Sequence, residues 1–378
     1  MPVTMKDELM RLANSPLQTA HTVRGWNRWV LAILAILASG LVGHSSLRAD
    51  EIIVTGGRNY EGVTISTATW EQVEYRLPGV STAQKLSSDK VLELRFSGEP
   101  ANLSRGRGAL EQGDLEGAVS ALTSACSQGA DRHRSNASYL LAEALLRLGQ
   151  QDASKLTAAI SAFDAFIEAY EPKKDFYVPY ARMGLSTAYK SSGKWADALQ
   201  ALQPLAQGNL GKKWVLGGTL GKAEVLLAQE KWTEARELFS SVANDSQAGA
   251  SIGTVAWLGY ASCQLGQKQW SSATDTVRQK VLENRDRNST ATTASRARAW
   301  LIWGRASQSQ AGGDRTQLQW ALIRYFRAAV IATTGNGDIL AESLFRAKSA
   351  AKELGLNDRV EELTQRLQKL VPNSVWNQ

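Results

Sequence analysis

Three passages of this chain share one pattern: GKWADALQALQPL at Gly193–Leu205, EKWTEARELFSSV at Glu230–Val242 and KQWSSATDTV at Lys268–Val277. In each, a turn carrying Lys precedes a Trp, an Ala follows three residues later, and four residues beyond it comes a Leu, Phe or Val. The Ala positions are Ala198, Ala235 and Ala273, a period of 37 to 38 residues. A fixed period of this size marks a stacked array, because one helical unit cannot bury its apolar face until a neighbour covers it. The small Ala lets two helices approach closely, and Leu202, Phe239 and Val277 fill the space between units.

The register extends both ways. GDLEGAVSALTSA supplies Ala118 and Leu122, and AAISAFDAFIEAYEP supplies Ala159 and Phe163, with Pro172 closing the unit. Downstream, WALIRYFRAA supplies Ala321 and Tyr325, and DRVEELTQRLQKLVP supplies Val360 and Pro372. The longer intervals are assigned to turn-rich insertions at Gly149–Lys155 and Gln310–Arg315. A preceding helix in each unit is apolar at helical spacing, over Ser138–Gly149, Ala181–Gly193, Gly218–Gln229, Ala256–Gly266 and Arg298–Ser307. Trp300, Trp303 and Gly304 form a W-x-x-W-G string. In these residues the chain resembles the tetratricopeptide repeat family, whose pattern is W-x2-L-G-x2-Y, then A-x3-F, then Pro. The resemblance runs from Asn102 to Pro372, about seven units. The second-turn aromatic is kept as Tyr189 but is Leu145, Leu226 and Gln264 elsewhere. The resemblance implies a mainly α fold: a right-handed α-solenoid of helical hairpins over residues 101–378, working as a protein-binding surface.

Ahead of the repeats lie two other regions. Residues 1–49 carry Lys6, Arg11, Arg24 and Arg28, then WVLAILAILASGLV (Trp29–Val42), an uncharged run of 14 residues. This is the layout of a secretory signal, with cleavage after Ala49. The alternative is a retained membrane anchor, for which the run falls short of the roughly 20 residues that span a bilayer. Either reading places the remainder outside the cytoplasm, in the periplasm or cell envelope.

Residues 50–100 change character. EIIVTGG, YEGVTIS, WEQVEYRL and KVLELRF read as four short strands, in which Val63 and Ile65, Val73 and Tyr75, and Leu92, Leu94 and Phe96 alternate with polar residues. Gly56-Gly57 and Pro78-Gly79 mark turns, and four strands of this kind curl into a small antiparallel barrel. The layout is similar to a β module found after the signal sequence of bacterial envelope proteins, carried here by Asp50–Gly57, Gly62–Ile65, Val73–Tyr75 and Lys90–Phe96. That likeness implies a docking or structural part. Ser97–Asn102 reads as the linker.

Residues 1–50 carry five Lys/Arg against three acids and residues 51–100 five against seven, so the net charge of +7 belongs to the repeats. Most of it lies in Arg278, Lys280, Arg285, Arg287, Arg296, Arg298, Arg305, Arg315, Arg324 and Arg327, with only Glu283, Asp286 and Asp314 between them. Three readings stay open: a solvated face, a surface for an acidic peptide or anionic envelope polymer, and a nucleic-acid surface with Trp300, Trp303 and Trp320 interleaved. Export argues against the last. In the resembled family the first helix of each unit lines a concave groove. The matching positions here are Asn136, Tyr139, Glu143 and Arg147, then Tyr180, Met183, Thr187 and Lys190, then Glu224 and Ser262, then Arg298 and Arg305. The central position is Glu143, Thr187, Glu224, Ser262 and Arg305 in successive units, so the family's carboxylate clamp is not expected.

The sequence lacks G-x-S-x-G, H-E-x-x-H, G-x-x-x-x-G-K-[ST] and spaced Cys pairs, so no enzyme, metal or cofactor is expected. Its three His are His21, His44 and His133, the last placed in an Arg-rich loop, Asp131–Arg134, without a partner. Cys126 and Cys263 fall in the first and fifth units, too far apart for a bridge, and read as small buried residues. The expected work is that of a non-catalytic scaffold or assembly factor of the cell envelope, with binding of an anionic cell-wall polymer as the alternative.

Overall fold

The computed structural model describes residues 49–54, 57–207, 210–284, 291–333, 337–372 and 374–377. The apolar run Trp29–Val42, His21, His44, Gly56, Arg285 and Arg287 lie outside them. Among the described residues no helix is long and apolar enough to cross a membrane.

A five-stranded antiparallel sheet comes first: β1 Asp50–Val54, β2 Tyr60–Ala68, β3 Gln72–Arg76, β4 Gln84–Ser87 and β5 Val91–Arg95, in the order β4-β3-β2-β1-β5. β4 is additional to the four strands read from the sequence. Its Gln84, Lys85 and Ser87 are exposed, so no apolar alternation announces it. β4 and β5 are the two edges of the sheet, yet only the short turn Ser88–Lys90 joins them. The sheet is therefore coiled until its edges are neighbours, a near-barrel left open between β4 and β5. In β5 the expected alternation is broken: Val91 and Leu94 are buried and Leu92 is 52% exposed. The register slips between Ile53 and Val54, which places Val54 opposite Val91. Such a bulge sets two residues against one and turns Leu92 outward. Asp50 ties the sheet end together. One carboxylate oxygen accepts from the Ile65 amide and the other from the Ser97 amide, each at 2.7 Å.

Fourteen α-helices follow among the described residues, as seven pairs. They are α1 Ala101–Gln112 and α2 Leu115–Ala125; α3 Asp131–Gln151 and α4 Leu156–Tyr170; α5 Val178–Ser191 and α6 Trp195–Ala206; α7 Lys212–Ala228 and α8 Trp232–Ala243; α9 Gly249–Gly266 and α10 Trp270–Val277; α11 Thr293–Gln310 and α12 Arg315–Ala332; α13 Gly337–Glu353 and α14 Asn357–Leu370. The first helices of pairs two to six begin up to two turns before the sequence-assigned starts. Asp131–Arg134, expected as a loop, is the first turn of α3. The long interval between Ala273 and Ala321 has only part of its excess near Gln310–Arg315. More lies in a π-helical turn, Arg278–Leu282, and the connection that follows it.

Each helix packs on the next in sequence, and each odd-numbered helix also packs on the next odd one. Among the described residues no comparable packing joins even-numbered helices. The row is thus two layers deep, and the odd-numbered layer is the tighter, inner one. The repeated residues sit in the core between layers. Ala118, Ala159, Ala198, Ala235, Ala273 and Ala321 are wholly buried, as are Leu122, Val277 and Tyr325. Val360 departs: it is half-buried, and Leu363 and Leu367 carry the buried stripe of α14. Where an inner helix meets a large outer side chain it carries Gly. A Cβ at Gly184 would come within 2.3 Å of Phe163, and one at Gly259 within 2.3 Å of Phe239.

Five of the seven hairpin turns are built alike. Gly113, Gly193, Glu230, Lys268 and Gly355 have φ of +60 to +79°. The next amide returns to a carbonyl five residues back: Asp114 to Ala109, Lys194 to Tyr189, Lys231 to Leu226, Gln269 to Gln264 and Leu356 to Ala351, all at 2.8–3.0 Å. This left-handed cap closes the helix and reverses the chain. The exceptions are the turns at Asp152–Lys155 and Ala311–Asp314, where the sequence places its insertions.

The sheet shares a core with the helices. Ile52, Val73, Leu94 and Phe96 pack in one cluster with Phe163, Phe166, Tyr177 and Leu185.

Candidate partner-binding groove

The side of the odd-numbered helices that faces away from the outer layer forms a groove, and its first part is filled by the chain itself. The free edge of β5 lies on α3, α5 and the start of α7. Asn136, which is 2% exposed, donates its Nδ2 to the Leu94 carbonyl at 3.1 Å. The Tyr177 hydroxyl accepts from the Leu94 amide at 3.2 Å. Tyr180 donates its hydroxyl to the Val91 carbonyl at 3.1 Å, and the Lys213 amine donates to the Tyr180 hydroxyl at 2.9 Å. Main-chain atoms of an extended strand are thus read by side chains from three successive inner helices. An aromatic floor supports them: Tyr139 stacks on Tyr177 at 4.6 Å, and Tyr180 meets Trp214 edge-on at 4.7 Å.

Burial governs the electrostatics here. It raises Tyr139 and Tyr177 far above the ordinary phenol range and pushes Tyr180 up to about 12. It lowers Lys213 to about 8, against a smaller opposing pull from Asp89. Beside the strand a notch of about 230 Å³ remains, lined by Leu92, Leu110, Leu140 and Tyr139 and rimmed by Arg107 and Arg147.

Further along, the groove-position residues pair with one another. Glu143 and Arg147 form an ion pair one turn apart on α3. Lys190 on α5 reaches Glu224 on α7 at 2.8 Å. Thr187 donates its hydroxyl to the Met183 carbonyl at 3.0 Å, and Ser262 to that of Leu258 at 2.9 Å.

An open space lies instead at the C-terminal, hairpin-turn ends of the inner helices, away from β5. A cavity of about 720 Å³ is walled by Leu227 of α7, Ser262 and Gly266 of α9, Arg298 and Arg305 of α11, and Arg346 of α13. Trp232, Trp270 and Tyr325 of the outer helices line it as well, and Glu230 and Glu353 set carboxylates against the arginines. Arg305 lies 3.7 Å and Arg346 3.5 Å from the same oxygen of Glu342. The Arg346 Nε is buried and, despite that proximity, makes no hydrogen bond. Arg298 is exposed and has no ion-pair partner among the described residues. Desolvation lowers Arg305 from the usual guanidinium range, the Glu342 charge opposing it.

The basic stretch read from the sequence is therefore divided between surfaces. Among the described residues of that stretch, only Arg298 and Arg305 face this cavity, where Arg346, beyond the stretch, joins them. Arg324 lies over Trp303 at 4.4 Å and Arg327 over Trp300 at 4.7 Å, with the two indoles stacked at 5.2 Å. Lys280 lies over Trp257 at 5.1 Å, and Arg278 pairs with Asp275 and Glu283. Arg296 and Arg315 are exposed. At about 100° per residue, Arg298 and Arg305 fall on one side of α11, and Trp300 and Trp303 on the opposite side. A helical wheel drawn on the sequence separates them; a linear charge count does not. Tyr177, Lys213 and Arg346 are site residues that no sequence pattern marks.

His133 is buried in the first turn of α3. Its Nδ1 accepts from the Ala130 amide at 3.3 Å, which leaves Nε2 to donate to the Ser97 carbonyl at 3.1 Å. It thus has a partner, from the end of the sheet module. Burial, and next the Arg132 charge, lower its pKa. The two thiols are free. Cys263 is buried, which pushes it up to about 12, and Cys126 is half-buried. No protein-family model matches this chain, and no curated protein matches it.

Proposed function

We propose that this chain is a non-catalytic scaffold of the cell envelope, a tetratricopeptide-type right-handed solenoid that holds a segment of a partner protein in the groove of its odd-numbered helices. The single observation that carries the reading is the seating of β5. Asn136, Tyr177, Tyr180 and Lys213 engage main-chain atoms of an extended strand, the kind of contact by which a groove takes a peptide of varied sequence. The buried Ala series and the Gly–aromatic contacts between layers support the repeat assignment. Placement in the envelope rests on the apolar run Trp29–Val42 behind its basic flank.

The test is a photo-crosslinking residue at Ser262, used on envelope extract, with wild type compared against Arg298→Glu/Arg305→Glu. The expected result is a saturable crosslink to a discrete polypeptide, lost in the variant. Absence of saturable crosslinking in both chains overturns the reading.

A further inference from the structure

The passage from sheet to helices turns on one residue, Ser97, two positions beyond β5. Its amide donates to Asp50 of β1 at 2.7 Å. Its carbonyl accepts from His133 Nε2 at 3.1 Å and from Arg132 Nη2 at 3.4 Å, both in the first turn of α3. The His133 ring is 4% exposed and meets Phe96 edge-on at 6.3 Å. A Cβ on Gly129 would lie 2.8 Å from its Nδ1, so the slot holds the ring only because Gly stands there. The Ala130 amide can only donate, which makes Nδ1 the unprotonated nitrogen. A second proton has to go on Nδ1, where it would point at that N–H across 3.3 Å. The residue is also third in its helix, where the helix dipole disfavours a cation.

We infer that His133 makes this joint acid-sensitive: the closed joint holds only the neutral ring, and protonation frees the Ser97 turn and the adjoining end of β5 from α3. The charges that act on the ring are Arg132 of its own helix, Glu99 of the connection and Asp50 of β1. Burial opposes the proton most and Arg132 next. Glu99 and Asp50 favour it less, and both are committed elsewhere. Glu99 takes Arg107 Nη1 on its two oxygens at 3.0 and 2.8 Å, and Asp50 takes the Ile65 and Ser97 amides. A ring released to solvent gains its proton near pH 6.5, and the ring in the closed joint gains it lower. Between those limits the closed form binds fewer protons than the opened one. Its advantage is therefore complete above about pH 6.5 and is lost as the pH falls below it, by up to about tenfold per pH unit in the opening equilibrium. Asp175, which accepts from Ser135 of α3 and from the Tyr177 amide, is raised by burial and so works in the opposite sense. A change at His133 alone separates the two.

The experiment is hydrogen exchange of the full chain at pH 7.5, 6.5 and 5.5, read by mass spectrometry and corrected for the intrinsic pH dependence of exchange. The expected result is that opening of the segment from Val91 to Ala101 rises severalfold between pH 7.5 and 5.5, to a limit of about tenfold, while α11 is unchanged. His133→Gln removes that rise. Gln is a usual capping-box residue at this third position: its carbonyl accepts from the Ala130 amide, its amide donates to the Ser97 carbonyl, and it does not titrate. An equal rise in His133→Gln and wild type, or no rise in wild type, overturns the inference. Should His133→Gln fail to fold, the nitrogen NMR shifts of the wild-type ring decide. A neutral Nε2–H ring that titrates below pH 6.5 supports the inference, and a ring that titrates at or above pH 6.5, or carries its neutral proton on Nδ1, overturns it.

Discussion

Replacing Asn136 by Ala asks whether β5 is held by the groove or only by the sheet behind it. The Leu94 carbonyl has two donors, Asn136 Nδ2 at 3.1 Å and the Tyr177 hydroxyl at a long 3.4 Å. Leu94 is wholly buried, so water does not replace the missing amide. Leaving a buried carbonyl with one poor donor costs about 1–3 kcal/mol. That cost falls on the joint between sheet and helices, because Leu94 shares its core with Phe163, Phe166 and Leu185. A loss of about 2 kcal/mol raises the population of states with β5 detached by roughly thirtyfold. Native-state hydrogen exchange reads this directly, with the Leu94 amide, a donor to Tyr177, as reporter. The expected outcome is faster exchange across Val91–Arg95 and unchanged exchange in α11 and α12. Unaltered protection of Val91–Arg95 in Asn136→Ala would refute the reasoning and locate the strand's anchorage in its pairing with β1.

Three further outcomes are expected. Gly259→Ala forces a Cβ to within 2.3 Å of Phe239, which is 1% exposed and has nowhere to go, and costs about 1–3 kcal/mol. Gly108→Ala, with nothing within 4 Å, stabilises by about 0.5–1 kcal/mol, and urea unfolding compares the two. Lys268 holds the left-handed turn that Gly holds in three of the matching hairpins, so Lys268→Gly raises the urea midpoint and Gly355→Ala lowers it. Lys213, lowered to about 8 against an unfolded value near 10.5, binds fewer protons folded than unfolded between those limits. Its contribution to stability therefore rises with pH above about 8, and Lys213→Met removes that part of the rise in urea midpoints measured from pH 7.5 to 10.

The helical row is legible in the sequence because its information is local and repeated. Ala118 through Ala273 recur every 37 to 41 residues, and each, like Ala321 after the longer interval, is buried for the same reason. Two inner helices escape that pattern. α1 carries no aromatic residue, and α13 buries Ala341, Ala347, Ala350 and Ala351 where other units use Gly and aromatics. The five like turns are half legible: Gly113, Gly193 and Gly355 announce a positive φ, but Glu230 and Lys268 adopt it without any sequence sign. The seating of β5 is not legible at all. Its contacts join residues 42 to 122 positions apart, such as Asn136 to Leu94 and Lys213 to Val91, and no periodicity encodes such a meeting. Repeat position marks Asn136, Tyr139 and Tyr180 as residues that take a partner's segment; in the structure they take the chain's own.

The wedge of β5 across α3, α5 and the start of α7 has a mechanical consequence. A stack whose members touch only their near neighbours deforms by small rotations that add along its length. Bracing three inner helices with one strand suppresses those rotations at one end and leaves the other end compliant, as in a cantilever clamped near its root. Displacement then accumulates toward α11 and α13, so the distance from the clamped strand to the far inner helices is the dimension of the molecule most responsive to load.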